Sequence, residues 1–272
     1  MATIYTSTGY GPYTPNIALP APSVWYDFSQ GNGNENFSTT IKDISGNGHD
    51  GIVTGMTAAN NYLPNEFSTG ALHINNTNNY NGGKYISIPS SFYSSARGTV
   101  IVCMGLYRMG HLTNYSGFNN VYCGSYNTSN GRYWYFGLNS SGYSTLEFSD
   151  GSNVDSTGVS VSTTFPTVVA FDISSLSNYN YFTSQMYYNN QINRFNVAIV
   201  SSNSNNSWET FQSYGMSIGR SFASSYQYSN VKIGHIALWD NIDPVTLGGA
   251  GYESPILSGL CSAYMKKYLK LQ

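Results

Sequence analysis

The sequence carries little charge. Only 9% of its 272 residues are charged, against roughly 25% in an ordinary soluble protein. The net charge is −2, and the one cluster of basic residues, Lys266, Lys267 and Lys270, lies near the C-terminus. Binding to a phosphate backbone needs several convergent positive charges. The composition therefore argues against nucleic acid as a partner.

Long apolar runs are also absent. No segment approaches the roughly 18 apolar residues of a membrane span, and residues 1–10 have neither the basic start nor the apolar stretch of a signal peptide. Cys103, Cys123 and Cys261 are odd in number and lack CxxC spacing, which argues against a disulfide framework or a zinc site. We therefore expect synthesis in a host cytoplasm, without a signal peptide and with reduced thiols.

What the sequence does contain is a strand pattern. Its 40% hydrophobic and 15% aromatic residues are too many for a disordered chain. Short β-branched or alternating runs, bounded by Gly, Asn, Asp or Ser, predict strands. The clearest runs are residues 84–89, 99–108, 132–138, 145–148, 167–173, 191–200 and 231–239. Many short strands in one chain of this length predict a single all-β, two-sheet antiparallel sandwich.

Turn signals separate these runs. Asn-Gly and Asp-Gly pairs accept the positive φ that tight turns require. Such pairs begin at Asn32, Asn47, Asp50, Asn81, Asn130 and Asp150. Each pair is therefore predicted to form a turn between strands.

Two terminal segments depart from this pattern. Residues 1–23 are rich in proline and predict an extended arm that precedes the domain of residues 24–272. The arm's apolar residues, predicted to anchor it in a neighbouring subunit, are Tyr5, Tyr10, Tyr13, Ile17 and Leu19. Residues 254–270 predict one C-terminal helix, because Ser254 can cap it and Pro255 suits its first position.

Several stretches, taken in order, resemble one known superfamily. They are Val24–Phe28 (VWYDF), Ile41–Gly55 (IKDISGNGHDGIVTG), Gly70–Ile74 (GALHI), Tyr85–Pro89, Met216–Arg220 (MSIGR) and Val231–Asn241 (VKIGHIALWDN). Together they resemble the laminin G-like branch of the concanavalin A-like lectin and glucanase superfamily. The resemblance implies a jelly roll of two packed sheets. Members include lectins, glycan hydrolases and lyases, adhesion modules and virion surface proteins, so the fold alone does not assign a function.

The acidic residues do not form a hydrolase pattern. Glycan-cleaving members of the superfamily carry two Glu and an Asp at alternate positions of one strand, and no such strand is present. The closest acidic pairs, Glu147 with Asp150 and Asp240 with Asp243, are predicted at strand ends or turns. Residues 215–219 (GMSIG) match the G-x-S-x-G motif, but they lie in a strand context instead of a strand–turn–helix. The sequence therefore predicts a protein that is not an enzyme.

One loop resembles the opening of a calcium site. Asp43, Ser45 and Asn47 place oxygen ligands at alternate positions before Gly48, but Thr54 stands where a bidentate acid is required. The alternative is an Asx-turn, in which the Asp43 side chain accepts backbone N–H groups and orders the loop. The missing acid favours the Asx-turn, so no cofactor is expected and calcium is kept as the alternative.

Aromatic residues interleaved with amides are typical of sugar-binding surfaces. The candidate carbohydrate-binding residues are Tyr133, Trp134 and Tyr135, together with Tyr122 and Tyr126. Alternate residues of a strand point to opposite faces, so the alternative for any one ring is a place in the core.

These observations predict a non-enzymatic surface or structural protein of a virus or phage particle. It would be a capsid decoration, minor capsid or fibre component at the virion surface, with other subunits as partners and host glycans as ligands. The alternative is a free-standing lectin or adhesion module. A glycan hydrolase or lyase is the least favoured interpretation, because the carboxylate strand is missing.

Overall fold

Two antiparallel sheets make up the fold. A computed structural model of the chain describes residues 21–66, 70–76, 83–92, 99–108, 120–127, 132–138, 144–150, 154–159, 167–175, 182–183, 186–188, 215–220 and 229–242. Within these ranges each sheet has eight strands, numbered here along the chain. The described helical elements are α1 (Ala58–Asn61) and a 3-10 turn (Ser90–Phe92). The predicted all-β, two-sheet jelly-roll sandwich is thus confirmed.

The first sheet is built around its longest strand. Its strands are, in spatial order, β13 (Phe182–Thr183), β12 (Thr167–Ser175), β7 (Thr99–Arg108), β16 (Asn230–Ile242), β5 (Ala71–Asn75) and β4 (Tyr62–Leu63), with β14 (Met186–Tyr188) beside β12 and β1 (Val24–Asp27) beside β16.

The second sheet is a continuous ladder. Its order is β11 (Val154–Val159), β10 (Ser144–Asp150), β9 (Arg132–Leu138), β8 (Asn120–Asn127), β15 (Met216–Ile218), β6 (Tyr85–Ile88), β3 (Gly51–Thr54) and β2 (Thr40–Ile41).

Strand β16 defines the two ends of the sandwich. It pairs with β7 on one side, while on the other side its first half pairs with β5 and its second half with β1. The change of partner occurs at Gly234, whose carbonyl accepts a hydrogen bond from Phe28 N at 3.0 Å. The end of β5 therefore lies beside the start of β16, and the start of β1 lies beside its far half.

The core lies between the two sheets. Fully buried residues alternate along the strands, as a half-buried strand requires. The first sheet contributes Val24, Tyr26, Leu72, Ile74, Val231, Ile233, Ile236 and Leu238, and the second contributes Ile41, Ile86, Ile88, Tyr122, Cys123, Phe136, Met216 and Ile218.

The outer faces of the central strands are buried as well. All three residues of β15 are buried, and Ser217 between its two core residues is 0% exposed. On β16, Ala237 is 0% and Trp239 4% exposed, although their neighbours Ile236 and Leu238 already fill the core. A strand buried on both faces offers no surface to a ligand. The ends of the sandwich are therefore where a ligand can reach these strands.

One turn prediction is wrong. Gly33 and Gly48 have positive φ, as the pairs beginning at Asn32 and Asn47 require. Gly51, after Asp50, instead lies in β3 without positive φ. A Cβ there would approach Ile86 to 2.7 Å, so this glycine serves close packing and not a turn.

Several predictions lie outside the described residues. These are the arm residues Tyr5, Tyr10, Tyr13, Ile17 and Leu19, the helix 254–270, and the run 191–200. Among the described helices, none has the length and apolar character needed to cross a membrane.

Candidate functional site

Two of the predicted sugar-binding rings are part of the interior. Tyr122 is 1% and Tyr135 2% exposed, and Tyr122 packs edge-on against Phe136 with ring centroids 5.6 Å apart. The β8–β9 register shifts between Val121 and Cys123, and both Tyr122 and Cys123 belong to the core. The prediction is corrected for these two rings, because a buried face cannot stack on a sugar.

The other three rings stay predictions. Tyr126 lies opposite Tyr133 in the β8–β9 pairing, and Trp134 follows in β9. Their side chains lie outside what the structure describes.

The candidate calcium loop is organised by the Asp43 carboxylate. Its Oδ1 accepts hydrogen bonds from Trp25 N and Ser45 N, both at 2.9 Å, and its Oδ2 accepts from His49 N at 3.0 Å and Ser45 Oγ at 2.8 Å. The predicted Asx-turn is thus confirmed. Asp50 closes the loop by accepting from Asp43 N at 2.8 Å. The described residues contain no group of three or more His, Cys, Asp or Glu side chains suited to a metal ion.

This loop, residues 43–50, holds the point where the chain enters the sandwich, and we call it the entry loop. Asn47 Nδ2 and Ser45 Oγ donate to the carbonyl of Ser23 at 3.1 and 3.3 Å. Ser23 N donates to Leu238 O at 2.7 Å, and Asp240 N donates to Ser23 Oγ at 3.0 Å. Two of the proposed calcium ligands therefore fix Ser23 against the far half of β16.

A second polar cluster lies at the opposite end of the sandwich, where β5 ends and β6 and β16 begin. We call it the polar rim, and it consists of His73, Asn75, Lys84 and Asn230, all half-buried. Asn230 lies directly opposite Asn75 in the β5–β16 register. From Asn230 to Leu238 the strand rises by roughly 26 Å at about 3.3 Å per residue, so the polar rim and the entry loop are well separated.

Hydrogen bonds brace the polar rim internally. Lys84 Nζ donates to Asn75 Oδ1 at 2.7 Å, and Asn61 Nδ2 donates to the same oxygen at 3.0 Å. His73 Nε2 lies 3.0 Å from Asn230 Oδ1. Because an amide oxygen only accepts, His73 Nε2 carries the proton and its Nδ1 is an acceptor in the neutral ring. The side chains are thus held in fixed positions before any ligand arrives.

A buried amide fixes the backbone beneath the polar rim. Asn76 is 1% exposed, and its Nδ2 donates to Lys84 O at 3.0 Å and Ser229 O at 3.1 Å. Its Oδ1 accepts from Lys84 N at 3.2 Å. One amide therefore joins the residue before β6 to the residue before β16.

Electrostatics keep the imidazole neutral. Burial lowers the pKa of His73 from 6.5, and the nearby charges of Lys232 and Lys84 lower the pKa further, against opposing contributions from Asn230 and Glu66. Lys232 itself is paired with Glu66 at 2.6 Å. At pH 7 the polar rim therefore presents amide N–H donors, one ammonium and one imidazole acceptor.

Sequence patterns did not identify the polar rim. Its residues come from three separate segments, and His73 and Asn230 are 157 positions apart. Isolated Asn, His and Lys residues carry no motif. The sequence did contain one indication of the site. Asn75 ends one core strand and Lys84 precedes the next, so two polar residues lie at the same end of the sandwich.

Comparisons with known proteins find similarity at the level of fold. No model of a known protein family matches the sequence, and no curated protein matches it either. Among solved structures, the NanB sialidase from Streptococcus pneumoniae is 17% identical, with a TM-score of 0.41, over 63% of this chain and 26% of that chain. The mouse laminin alpha1 chain, domains LG4-5, is 11% identical, with a TM-score of 0.42, over 61% and 41%.

A toxin domain is similar over a longer part of the chain. The binding domain of botulinum neurotoxin serotype G is 11% identical, with a TM-score of 0.45, over 81% of this chain and 48% of that chain. This chain thus spans from about a quarter to about a half of the length of these three chains. The two-sheet β-sandwich is shown by the pairing of the strands themselves, and the superfamily membership that the motifs predict stays a prediction.

Proposed function

We propose that this protein is a glycan-binding module that acts without catalysis and binds its ligand at the polar rim. The observation that carries the proposal is the cross-braced set His73, Asn75, Lys84 and Asn230, which is half-exposed and held by hydrogen bonds of 2.7–3.0 Å. Side chains that are already positioned lose little conformational entropy when a ligand binds.

The mixture of groups suits a sugar. Each hydroxyl group of a sugar both donates and accepts a hydrogen bond. Within the described residues, the Nδ2 groups of Asn75 and Asn230 and the Nδ1 of His73 make no hydrogen bond. The polar rim therefore offers donors and an acceptor side by side, as neighbouring hydroxyls of one ring require.

The carboxylates nearest to these groups support binding over cleavage. Glycoside hydrolysis needs two carboxyl groups on either side of the scissile bond. Glu66, the described carboxylate beside the polar rim, is paired with Lys232, and Asp43 and Asp50 lie at the opposite end of the sandwich, where they accept structural hydrogen bonds. We expect a bound oligosaccharide to be recovered intact after long incubation with the protein.

The proposal is tested on a glycan array with single variants. Asn230→Ala and Asn75→Ala should each weaken binding of any recognised glycan by at least roughly tenfold, the equivalent of one lost hydrogen bond. The matched control is Asn36→Ala, since Asn36 is exposed and lies outside the polar rim. Equal binding by all three variants would contradict the proposal.

We further propose that the module lies on the outside of a virus or phage particle, with other subunits of the particle as partners. The low content of charged residues and the Pro-rich arm support this proposal, as does the fixed position of Ser23 at the end opposite the polar rim. Labelling with antibody should find the chain on intact particles. A chain recovered only as a soluble monomer that binds glycans would favour the free-standing lectin.

A further inference from the structure

We infer that the ligand of the polar rim is an acidic sugar, one that carries a carboxylate or sulfate group, with Lys84 as its charge partner. The inference rests on the proposed glycan-binding function and adds the class of ligand. It follows from the way charge is distributed between the two ends of the sandwich.

Positive charge collects at the polar rim. Among the side chains that the structure describes, four are basic, and three of them, Lys84, Arg220 and Lys232, lie at this end. The fourth, Lys42, precedes Asp43 at the entry loop. Of the described carboxylates, Asp43, Asp50 and Asp240 belong to or adjoin the entry loop, whereas Glu66 lies at the polar rim and is paired with Lys232. Within the described side chains, basic groups therefore predominate at the polar rim and carboxylates at the entry loop, although the net charge of the whole chain is only −2.

Lys84 has no acidic partner in the described part of the chain. Its Nζ donates to Asn75 Oδ1 at 2.7 Å and to Asn75 O at 3.3 Å, and both acceptors are neutral oxygens. Lys232, by contrast, is paired with Glu66 at 2.6 Å. An ammonium has three donors, so Lys84 retains both a donor and an uncompensated charge for a ligand.

A second cation, Arg220, lies next to Lys84. Its guanidinium carbon lies 3.3 Å from the ring centroid of Tyr85, the residue that follows Lys84. The carbonyl of Arg220 accepts a hydrogen bond from Ser217 Oγ at 2.8 Å. The cation is thus held over a half-buried ring at the start of β6, where screening by water is weaker than on an open surface.

A neutral sugar would leave this charge unused. Hydrogen bonds between an ionised donor and acceptor are shorter and roughly twice as strong as neutral ones. A carboxylate or sulfate placed against Lys84 Nζ gains such a bond, while Asn75 and Asn230 bind hydroxyls of the same ring. The Nδ1 of the neutral His73 accepts from a further hydroxyl of that ring.

The test is a glycan array in which every acidic oligosaccharide is printed beside its neutral parent. We expect signal on acidic members and at least roughly tenfold less on their parents. Lys84→Gln should abolish the preference, Lys84→Arg should retain part of it, and raising the salt from 50 to 500 mM should weaken it. Lys42→Gln is the matched control, because Lys42 is exposed at the other end.

The outcomes separate the two proposals. Binding of neutral parents as tightly as acidic members, or a Lys84→Gln variant with unchanged preference, overturns the acidic-sugar inference and leaves the glycan-binding proposal intact. Binding to no member of the array overturns both. Melting temperatures of the variants show whether a lost signal reflects misfolding. If Lys84→Gln fails to fold, Lys84→Arg, which keeps the positive charge, still tests whether that charge selects acidic sugars.

Discussion

At the scale of single residues, Asp43 shows how one carboxylate organises a loop. It is 5% exposed and accepts four hydrogen bonds, three of them from backbone N–H groups. Asp43→Ala leaves buried donors unsatisfied, and we expect a loss of about 3 kcal/mol in the free energy of unfolding. Urea unfolding measures it, with Glu35→Gln as the control because Glu35 accepts a single exposed bond. Equal stabilities would contradict this account of the loop.

The same contacts predict how the entry loop responds to calcium. The lone pairs of Asp43 are directed at N–H and O–H donors, so an ion would have to displace them. A ligand that binds the folded state raises stability in proportion to the logarithm of its concentration above Kd. We expect no change in melting temperature with millimolar calcium. If calcium raises the melting temperature of the wild type but not that of Asp43→Ala, the entry loop does bind calcium.

The buried hydroxyl of Tyr26 should make the folded protein less stable at alkaline pH. This hydroxyl donates to His49 O at 2.6 Å. Burial, followed by the charges of Asp43 and Asp50, raises the pKa of Tyr26 well above 10.0. Its stabilising contribution is therefore present below pH 10 and is lost as pH rises further, because only the unfolded state releases the proton.

A matched variant isolates this effect. Tyr26→Phe removes the titration, so the stability difference between wild type and variant should shrink by about 1 kcal/mol between pH 10 and pH 11. Urea unfolding at several pH values measures both curves. Parallel curves would mean that Tyr26 does not govern the alkaline response.

At the scale of elements, Gly215 fixes the approach of β15 to β6. Its φ is +67°, and a Cβ there would clash with the Ile88 carbonyl and lie 2.9 Å from Ser90 N. Gly31 has a similar φ of +87° with nothing within 4 Å. Gly31→Ala should cost about 1 kcal/mol for backbone strain alone, and Gly215→Ala about 3–5 kcal/mol because overpacking adds to that strain. Equal costs, measured by urea unfolding, would show that β15 can move away from β6.

The elements also show what sequence can predict. Residues 99–108 and 132–138 were predicted with the same bounds that β7 and β9 have, because β-branched and aromatic runs identify a strand locally. Strands β8 and β11 were not predicted, since their Gly, Ser and Asn residues look like turn residues. These segments form strands because they pair with neighbouring strands, and the local sequence does not indicate such pairing.

The candidate site was predicted less well for a related reason. The high local frequency of aromatic residues pointed to Tyr122 and Tyr135. Their burial, however, depends on which face of each strand is covered, and residue frequency carries no information about that. The polar rim depends on three chain segments meeting, with His73 bonded to a residue 157 positions away. By contrast, the role of Asp43 was predicted, because an Asx-turn is a local structure.

At the scale of the whole molecule, the arm and the domain should be separable. Ser23 is held by Leu238, Asp240, Ser45 and Asn47, and the first described strand begins at Val24. We predict that deleting residues 1–20 leaves a soluble domain whose melting temperature changes by less than about 3 °C, the equivalent of roughly 1 kcal/mol.

The same deletion should abolish incorporation into the parent particle, as measured by co-sedimentation. The alternative is that the arm protects a sheet edge of its own domain. In that case the truncated chain aggregates or loses stability on its own, which would refute the assembly role of the arm.

The course of β16 has a mechanical consequence. A particle held at Ser23 would pull on the start of β1, and a glycan held at Asn230 would pull in the opposite direction on the start of β16, which pairs with β1 and β5 on one side and with β7 on the other. Ladder hydrogen bonds run perpendicular to the strands, so such a pull shears many of them at once instead of unzipping them one by one. Tension between the two ends would therefore be carried as shear between β1 and β16.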